Sequence, residues 1–173
     1  MSAGAFYYRI DDLINQVTDP ADSMLVYRNV DSVETQGIEL EADKTWASGV
    51  RTRASFAYQA AHDKATGAWL TNSPRNLVKL NVSLPLAANR ARAGLELQYT
   101  SPRRTDSAGI GGFTVANLTL SSTALAKNLD VSLGLYNLAG KRYADPAASL
   151  DSPAQDRVAQ DGRTVRLKLT YRF

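Results

Sequence analysis

Read back from its last residue, the chain alternates apolar and polar positions with a period of two. Val165, Leu167, Leu169, Tyr171 and Phe173 share one parity, and Thr164, Arg166, Lys168, Thr170 and Arg172 share the other. Successive strand side chains point to opposite faces, so this segment is apolar on one side and basic on the other. The pattern recurs upstream. Leu129, Val131, Leu133 and Leu135 alternate with Asp130, Ser132, Gly134 and Tyr136, and less cleanly Ala116, Leu118 and Leu120 with Val115, Asn117, Thr119 and Ser121. Ala93, Leu95, Leu97 and Tyr99 oppose Arg92, Gly94, Glu96 and Gln98, while Val78, Leu80, Val82 and Leu84 oppose Lys79, Asn81 and Ser83. Ala54, Phe56 and Tyr58 oppose Arg51, Arg53, Ser55 and Gln59, and Ile38, Leu40 and Ala42 oppose Gly37, Glu39, Glu41 and Asp43. The first segment sets Phe6, Tyr8 and Ile10 against Tyr7, Arg9 and Asp11. The expected fold is all-β, an antiparallel meander of about eight strands forming one domain over residues 1–173.

The connections alternate in length. Those at 45–49, 87–90 and 123–128 are short, whereas those at 15–23, 63–74, 103–112 and 145–162 are longer and rich in Gly, Pro, Asp, Asn and Ser. Transmembrane barrels of the outer membrane have short periplasmic turns, long extracellular loops, and strands of about ten residues with one apolar face. Tyr8, Tyr58, Tyr99, Tyr143, Tyr171 and Phe173 lie near strand ends, as interfacial aromatic girdles do. The other face carries both charges, and Glu39 and Glu41 are placed to meet Arg51 and Arg53 across a short turn. The absence of charge inside the apolar bands favours a membrane barrel over a soluble one.

Composition removes several other classes. The 173 residues include 44% hydrophobic and 21% charged ones, which is near the globular average. The net charge of +3 is spread through the chain without a basic block, a weak pointer to nucleic acid. With no cysteine and one histidine, thiol catalysis and Cys-based zinc sites are excluded. No apolar run reaches the roughly 18 residues of a spanning helix, and residues 1–9 do not read as a secretory leader. An exported fold without a leader leads to the expectation that this is part of a larger protein.

Four stretches carry a family resemblance. Gly37-Ile38-Glu39-Leu40-Glu41 resembles the GxELE strand of TonB-dependent receptors, and Asn72-Ser73-Pro74-Arg75-Asn76 resembles their strand entry of the form N-x-P-x-H/N. Tyr136-Asn137-Leu138-Ala139-Gly140-Lys141-Arg142-Tyr143 is similar to their N-L-F-D-K-x-Y segment, with Ala139 and Gly140 in place of Phe and Asp. Asp161-Gly162-Arg163-Thr164 leading to Tyr171-Arg172-Phe173 resembles the terminal strand. The order and spacing of the four pieces cover nearly the whole chain. The resemblance implies the C-terminal part of a barrel of about 22 strands, located in the bacterial outer membrane, whose plug domain and TonB box lie upstream and match nothing here. It implies uptake of a ferric siderophore, cobalamin or another scarce solute with energy relayed by TonB, no enzymatic activity and no cofactor. Partners on this reading are outer-membrane lipid and lipopolysaccharide, and TonB through the missing N-terminal region. Val165, Leu167, Leu169, Tyr171 and Phe173 resemble the signal by which the barrel assembly machinery recognises a terminal strand.

Other motifs have plainer readings. His62 beside Asp63, with Ser55 and Ser73 nearby, lacks the nucleophile elbow of a hydrolase and reads as a loop histidine. Gly109-Ile110-Gly111-Gly112 opens onto a strand, so it reads as a flexible loop tip and not a nucleotide loop. Asp19, Asp22, Asp145, Asp151 and Asp156 could offer oxygen ligands to Ca²⁺ but lack EF-hand spacing, and solvated carboxylates are expected. Arg103-Arg104 at a strand end suits either an anionic ligand such as lipopolysaccharide phosphate or an interfacial charge pair. The rival architectures are a self-contained eight-stranded membrane barrel (an adhesin, scaffold or lipid-modifying enzyme) and a soluble lipocalin-type barrel.

Overall fold

A computed structural model describes residues 1–105, 107–147 and 156–173. Eight long strands form one antiparallel sheet: β1 (Ser2–Thr18), β2 (Leu25–Thr45), β3 (Arg51–Asp63), β4 (Asn76–Leu86), β5 (Ala91–Thr100), β8 (Phe113–Ala126), β9 (Leu129–Tyr136) and β12 (Thr164–Tyr171). Their order in space is their order in the chain, so every link is a hairpin link and the sheet is a meander. Two small ribbons stand in the long connections: β6 (Arg103–Arg104) with β7 (Gly109–Ile110), and β10 (Ala144–Pro146) with β11 (Arg157–Ala159). All eight alternating segments of the sequence are strands of the main sheet.

Register turns the alternation into two chemically distinct faces, because directly opposed residues share a face. One row runs Val82, Leu95, Leu118, Leu135, Val165 across β4, β5, β8, β9 and β12, and the next runs Leu84, Ala93, Leu120, Leu133, Leu167. On the reverse face a row runs Asp43, Arg53, Asn81, Glu96, Asn117 across β2, β3, β4, β5 and β8. The apolar face is uncovered, with Ile38, Leu40, Val78, Leu84, Leu95, Leu120, Val165, Leu167 and Leu169 all exposed. The few buried apolar residues, among them Ala60, Ile110, Phe113 and Val115, sit toward the long-loop end. This sheet therefore has no conventional core between two layers.

The first strand departs from expectation. Ala3 opposes Leu40, Ala5 opposes Ile38, and Phe6 opposes Gly37. Ala3, Ala5 and Tyr7 thus belong to the apolar face, while Phe6, Tyr8 and Ile10 lie on the polar one. Gly37 explains the inversion. A Cβ built on it would stand 2.5 Å from the Phe6 ring and 2.3 Å from the Tyr58 carbonyl oxygen, so the ring occupies the space a side chain would need. Phe6 then stacks on Tyr8, with ring centroids 5.2 Å apart.

Strand lengths also differ from the alternating segments. The expected 15–23 loop shrinks to a turn at 19–24, because β1 and β2 reach 17 and 21 residues. Beyond the Val33–Asp63 pair, β2 has lost its β3 partner, and β1 with β2 continues as a two-stranded ribbon. Both faces of such a ribbon meet solvent, so no alternation is demanded of it. Register irregularities at Ile10, Leu13 and Ile14 further obscure the period. The expected 123–128 turn is likewise shorter, since β8 reaches Ala126, which opposes Leu129.

β1 and β12 stand at opposite edges of the sheet, and no ladder joins them among the described residues. A closed eight-stranded barrel requires that ladder. The rival of a self-contained small barrel therefore lacks its defining contact.

Candidate functional site

The polar face holds the charge pairs, at residues partly different from those expected. Asp43, not Glu39, is the central carboxylate: its Oδ2 accepts from Arg51 at 3.0 Å and from Arg53 at 3.0 Å, with Glu41 3.4 Å from Arg53. Asp43 and Arg53 are direct cross-strand partners, a relation that only the register reveals. Further along the row, Asn117 donates Nδ2–H to Glu96 at 2.9 Å. Arg51, Arg53, Glu96 and Asn117 line a cleft of about 480 Å³ with Asn81, Ser83 and Thr119.

Above the polar face the long connections are tied together. Arg103 donates Nη2–H to Asp145 Oδ1 at 2.7 Å and to the Ala144 carbonyl at 3.2 Å, while Nη1 reaches Asn72 Oδ1 at 3.4 Å. Its side chain is only 9% exposed. One arginine thus joins β6, the 64–75 loop and β10. Thr105, buried, donates its hydroxyl to Asp156 Oδ2, and Asp156 Oδ1 accepts from Ser107 N–H. That hydroxyl holds the Asp156 carboxyl below the ordinary carboxylate value.

Asn137 closes the corner between β9 and β12. It is buried, has φ of 50°, and accepts from Lys141 N–H at 2.8 Å. Its amide nitrogen donates to the carbonyls of Lys141 at 2.8 Å and Asp161 at 3.2 Å. The Asn of the N-L-F-D-K-x-Y-like segment therefore pins the loop and also the entry to β12. The Asn72-to-Asn76 stretch has a similar part: Gln59 Nε2 donates to Ser73 Oγ and Pro74 O, and Asn76 N–H donates to Ser101 Oγ at 3.0 Å. Below these anchors lies a cavity of about 490 Å³ lined by Gln98, Phe113, Asn117, Tyr136, Tyr143 and Asp145.

Other sequence candidates separate in space. His62 stacks on Trp69 with centroids 3.9 Å apart. Asp63 instead accepts from Thr66 N–H and Oγ1–H, each at 2.7 Å. Ser55 lies on the opposite face from His62, and Ser73 is bonded to Gln59, so no triad is assembled. The glycine-rich 109–112 stretch is no loose tip: Gly109 and Ile110 pair with Arg104 and Arg103, and Ile110 is buried. Asp19 pairs with Arg28 and Asp22 accepts from Met24 N–H in the β1–β2 turn, while Asp145 pairs with Arg103 and Asp156 with Thr105 in the β9–β12 connection. Asp151 lies outside the described residues. Arg103 is neutralised by Asp145 and is no open anion site, while Arg104 donates to the Trp69 carbonyl at 3.3 Å.

Of the expected girdle, Tyr58 and Tyr99 lie on the apolar face near the long loops, and Tyr171 with Phe173 at the short-turn end. Tyr8 lies on the polar face, as the register above requires. Tyr143 packs on Phe113 with centroids 4.2 Å apart, and burial, reinforced by Asp145, pushes its phenol pKa up. Val165, Leu167, Leu169 and Tyr171 form the exposed face of an edge strand, ending in an uncovered Phe173.

An open meander with one apolar and one charged face is the wall of a β-barrel, and the comparisons with known proteins agree. The sequence model described as TonB dependent receptor-like, beta-barrel matches residues 1–138. The chain belongs to the TonB-dependent receptor family, as a portion of its β-barrel. A search of curated proteins gave no match. Among solved structures it resembles the ferric yersiniabactin uptake receptor FyuA from Yersinia pestis, with a TM-score of 0.80 and 18% identity over 99% of this chain and 27% of that one. It also resembles the ferric-catecholate import receptor Fiu from E. coli K12, with a TM-score of 0.74 and 20% identity over 99% of this chain and 25% of that one. The copper transporter OprC gives a TM-score of 0.77 and 21% identity over 99% of this chain and 28% of that one. The chain spans about a quarter of the length of these structures. Family membership sets aside the lipocalin-type barrel.

Proposed function

We propose that this chain is the C-terminal part of the barrel of an outer-membrane receptor that takes up a scarce solute, a ferric siderophore or similar complex, with energy relayed by TonB. The observation that carries the reading is the division of the sheet. Apolar rows run across one face from β4 to β12, and the Asp43–Asn117 row of charges and amides occupies the reverse face. Lipid favours the first face, and a watery lumen around a plug favours the second. Solute capture belongs to the long connections braced by Arg103 and Asn137, which stand over the polar cavity. The reading is of transport, not catalysis, and TonB acts through a region upstream of these strands.

The terminal strand has a second role on this reading. Val165, Leu167, Leu169, Tyr171 and Phe173 present a register of apolar anchors on an unpaired strand edge, the form in which a strand is captured by another sheet. The barrel assembly machinery is the proposed partner.

Uptake of isotopically labelled iron complexes by cells carrying or lacking the receptor tests the function. Accumulation that needs both the receptor and TonB supports it. Uptake of copper but of no iron complex changes the solute, and receptor-independent accumulation of every complex tested overturns the proposal.

A further inference from the structure

Trp69 sits at the centre of an arrangement that solute uptake does not use. Its indole has the His62 ring 3.9 Å away by centroids and the Arg75 guanidinium carbon 3.4 Å from its own ring centroid. Its carbonyl accepts from Arg104 Nη1 at 3.3 Å. Trp69, Arg75 and Arg104 line a groove of about 600 Å³ together with Leu70, Tyr99 and Pro102, and His62 backs Trp69 from outside it.

The position of this groove sets it apart from the cavity over the polar face. Tyr99 opposes Val78, and Asn76 opposes Tyr58, so the groove's lower wall belongs to the apolar face at its long-loop end. Charge distinguishes it as well. Arg103, which lines this groove and the polar-face cavity alike, is neutralised by Asp145. Arg75 and Arg104 are exposed and form no ion pair among the described residues. The carboxylate of Asp63, at the end of β3, is committed to Thr66. Two guanidinium groups therefore flank an aromatic floor with no ion-paired acid among the described residues.

We infer that this groove binds the phosphorylated headgroup of an outer-leaflet lipid, with a phosphate between Arg75 and Arg104 and the acyl chains along Tyr99 and Val78. A guanidinium matches phosphate oxygens with paired N–H donors, and partial shielding by Trp69 and Pro102 strengthens such bonds over those in open water. The apolar wall selects a lipid over free phosphate, since inorganic phosphate would leave that surface uncovered. The cation–π contact and the Trp69 carbonyl hold the two arginines in place before the ligand arrives. The inference rests on the membrane-spanning reading of the apolar face, though not on any particular solute.

The test is native mass spectrometry of the full receptor in detergent, titrated with diphosphorylated lipid A and with the same lipid after phosphate removal. Heat-dependent gel mobility checks that each variant is folded. The expected result is preferential binding of the phosphorylated lipid, weakened about tenfold or more in R75Q/R104Q and by less in R75K/R104K, which keeps the charge and loses the paired donors, with R157Q as an unaffected control. If the glutamine pair fails to fold, salt takes its place, because added salt must weaken the phosphorylated lipid far more than the dephosphorylated one. Equal binding of both lipids overturns the inference, and so does unchanged binding by folded R75Q/R104Q. Displacement of the lipid by millimolar inorganic phosphate assigns the groove to free phosphate and also overturns it. A receptor that transports yet fails these tests leaves the uptake proposal standing, so the two are separable.

Discussion

Arg103 and Asp145, 42 residues apart in the chain, meet at 2.7 Å and join the β6–β7 ribbon to the β10–β11 ribbon. The pair is lopsided: the Arg103 side chain is 9% exposed and that of Asp145 is 43% exposed. Removing the acid leaves a mostly buried cation short of a partner, which costs more than removing the cation. D145A is expected to destabilise the loop cluster by about 1–2 kcal/mol, a value reduced for the exposure of the carboxylate, and R103M by less. Limited proteolysis of the folded receptor checks the order, with D145A cleaved faster in its loops than R103M.

Gly37 has no room for a side chain. Any Cβ meets the Phe6 ring and, more closely, the Tyr58 backbone oxygen at 2.3 Å. G37A is expected to lower the yield of folded barrel, read from heat-dependent gel mobility. F6A/G37A recovers only part of it, because the ring can be removed and the carbonyl cannot.

Asn137 offers both an acceptor and a donor to the corner it closes. N137A loses all three bonds and places alanine at positive φ, with an expected cost of about 2–3 kcal/mol. N137G keeps the backbone conformation but not the bonds and falls between. Denaturant unfolding in micelles ranks wild type above N137G above N137A.

The Thr105–Asp156 bond makes the loop cluster sensitive to acid. Asp156 has a lowered folded-state pKa, so its contribution is fully present above the ordinary carboxylate value and is lost as pH falls through the folded value. Protection of the Ser107 amide against hydrogen exchange, relative to its intrinsic rate at each pH, is expected to fall in that acidic window. In T105V the same loss of protection begins at a higher pH, since the hydroxyl that depresses the pKa is gone.

At the β4–β5 turn Ala87, Ala88 and Asn89 all have positive φ, between 49° and 70°. Alanine there costs about 1 kcal/mol per residue relative to a relaxed conformation. A88G is expected to be neutral or stabilising by up to about 1 kcal/mol, after the extra chain entropy of glycine is deducted. Thermal unfolding of the detergent-solubilised receptor measures it.

The strands were legible wherever one face was apolar, as from Val78 to Leu84 and from Val165 to Tyr171, because burial in an apolar medium imposes the period. Alternation could not disclose the β1–β2 ribbon, whose faces are both solvated, or the parity of Phe6, which depends on an absent side chain at Gly37. The bracing residues divide in the same way. Asn137 and Asn72 stood out through resemblance, whereas Asp43 became the central carboxylate only through register. The Arg103–Asp145 and Thr105–Asp156 contacts join segments about 40 and 50 residues apart, and no local pattern encodes such pairings.

The most direct test of the account is the environment of alternate residues on β4. The chain has no cysteine, so single cysteines introduced into the full receptor at 78 to 84 can be spin-labelled in lipid bilayers without background from these strands. The account predicts that labels replacing Val78, Leu80, Val82 and Leu84 collide with oxygen dissolved in the bilayer, while those replacing Lys79, Asn81 and Ser83 collide with a water-soluble paramagnetic reagent. Inverted alternation, or seven labels all relaxed by the water-soluble reagent, would contradict it.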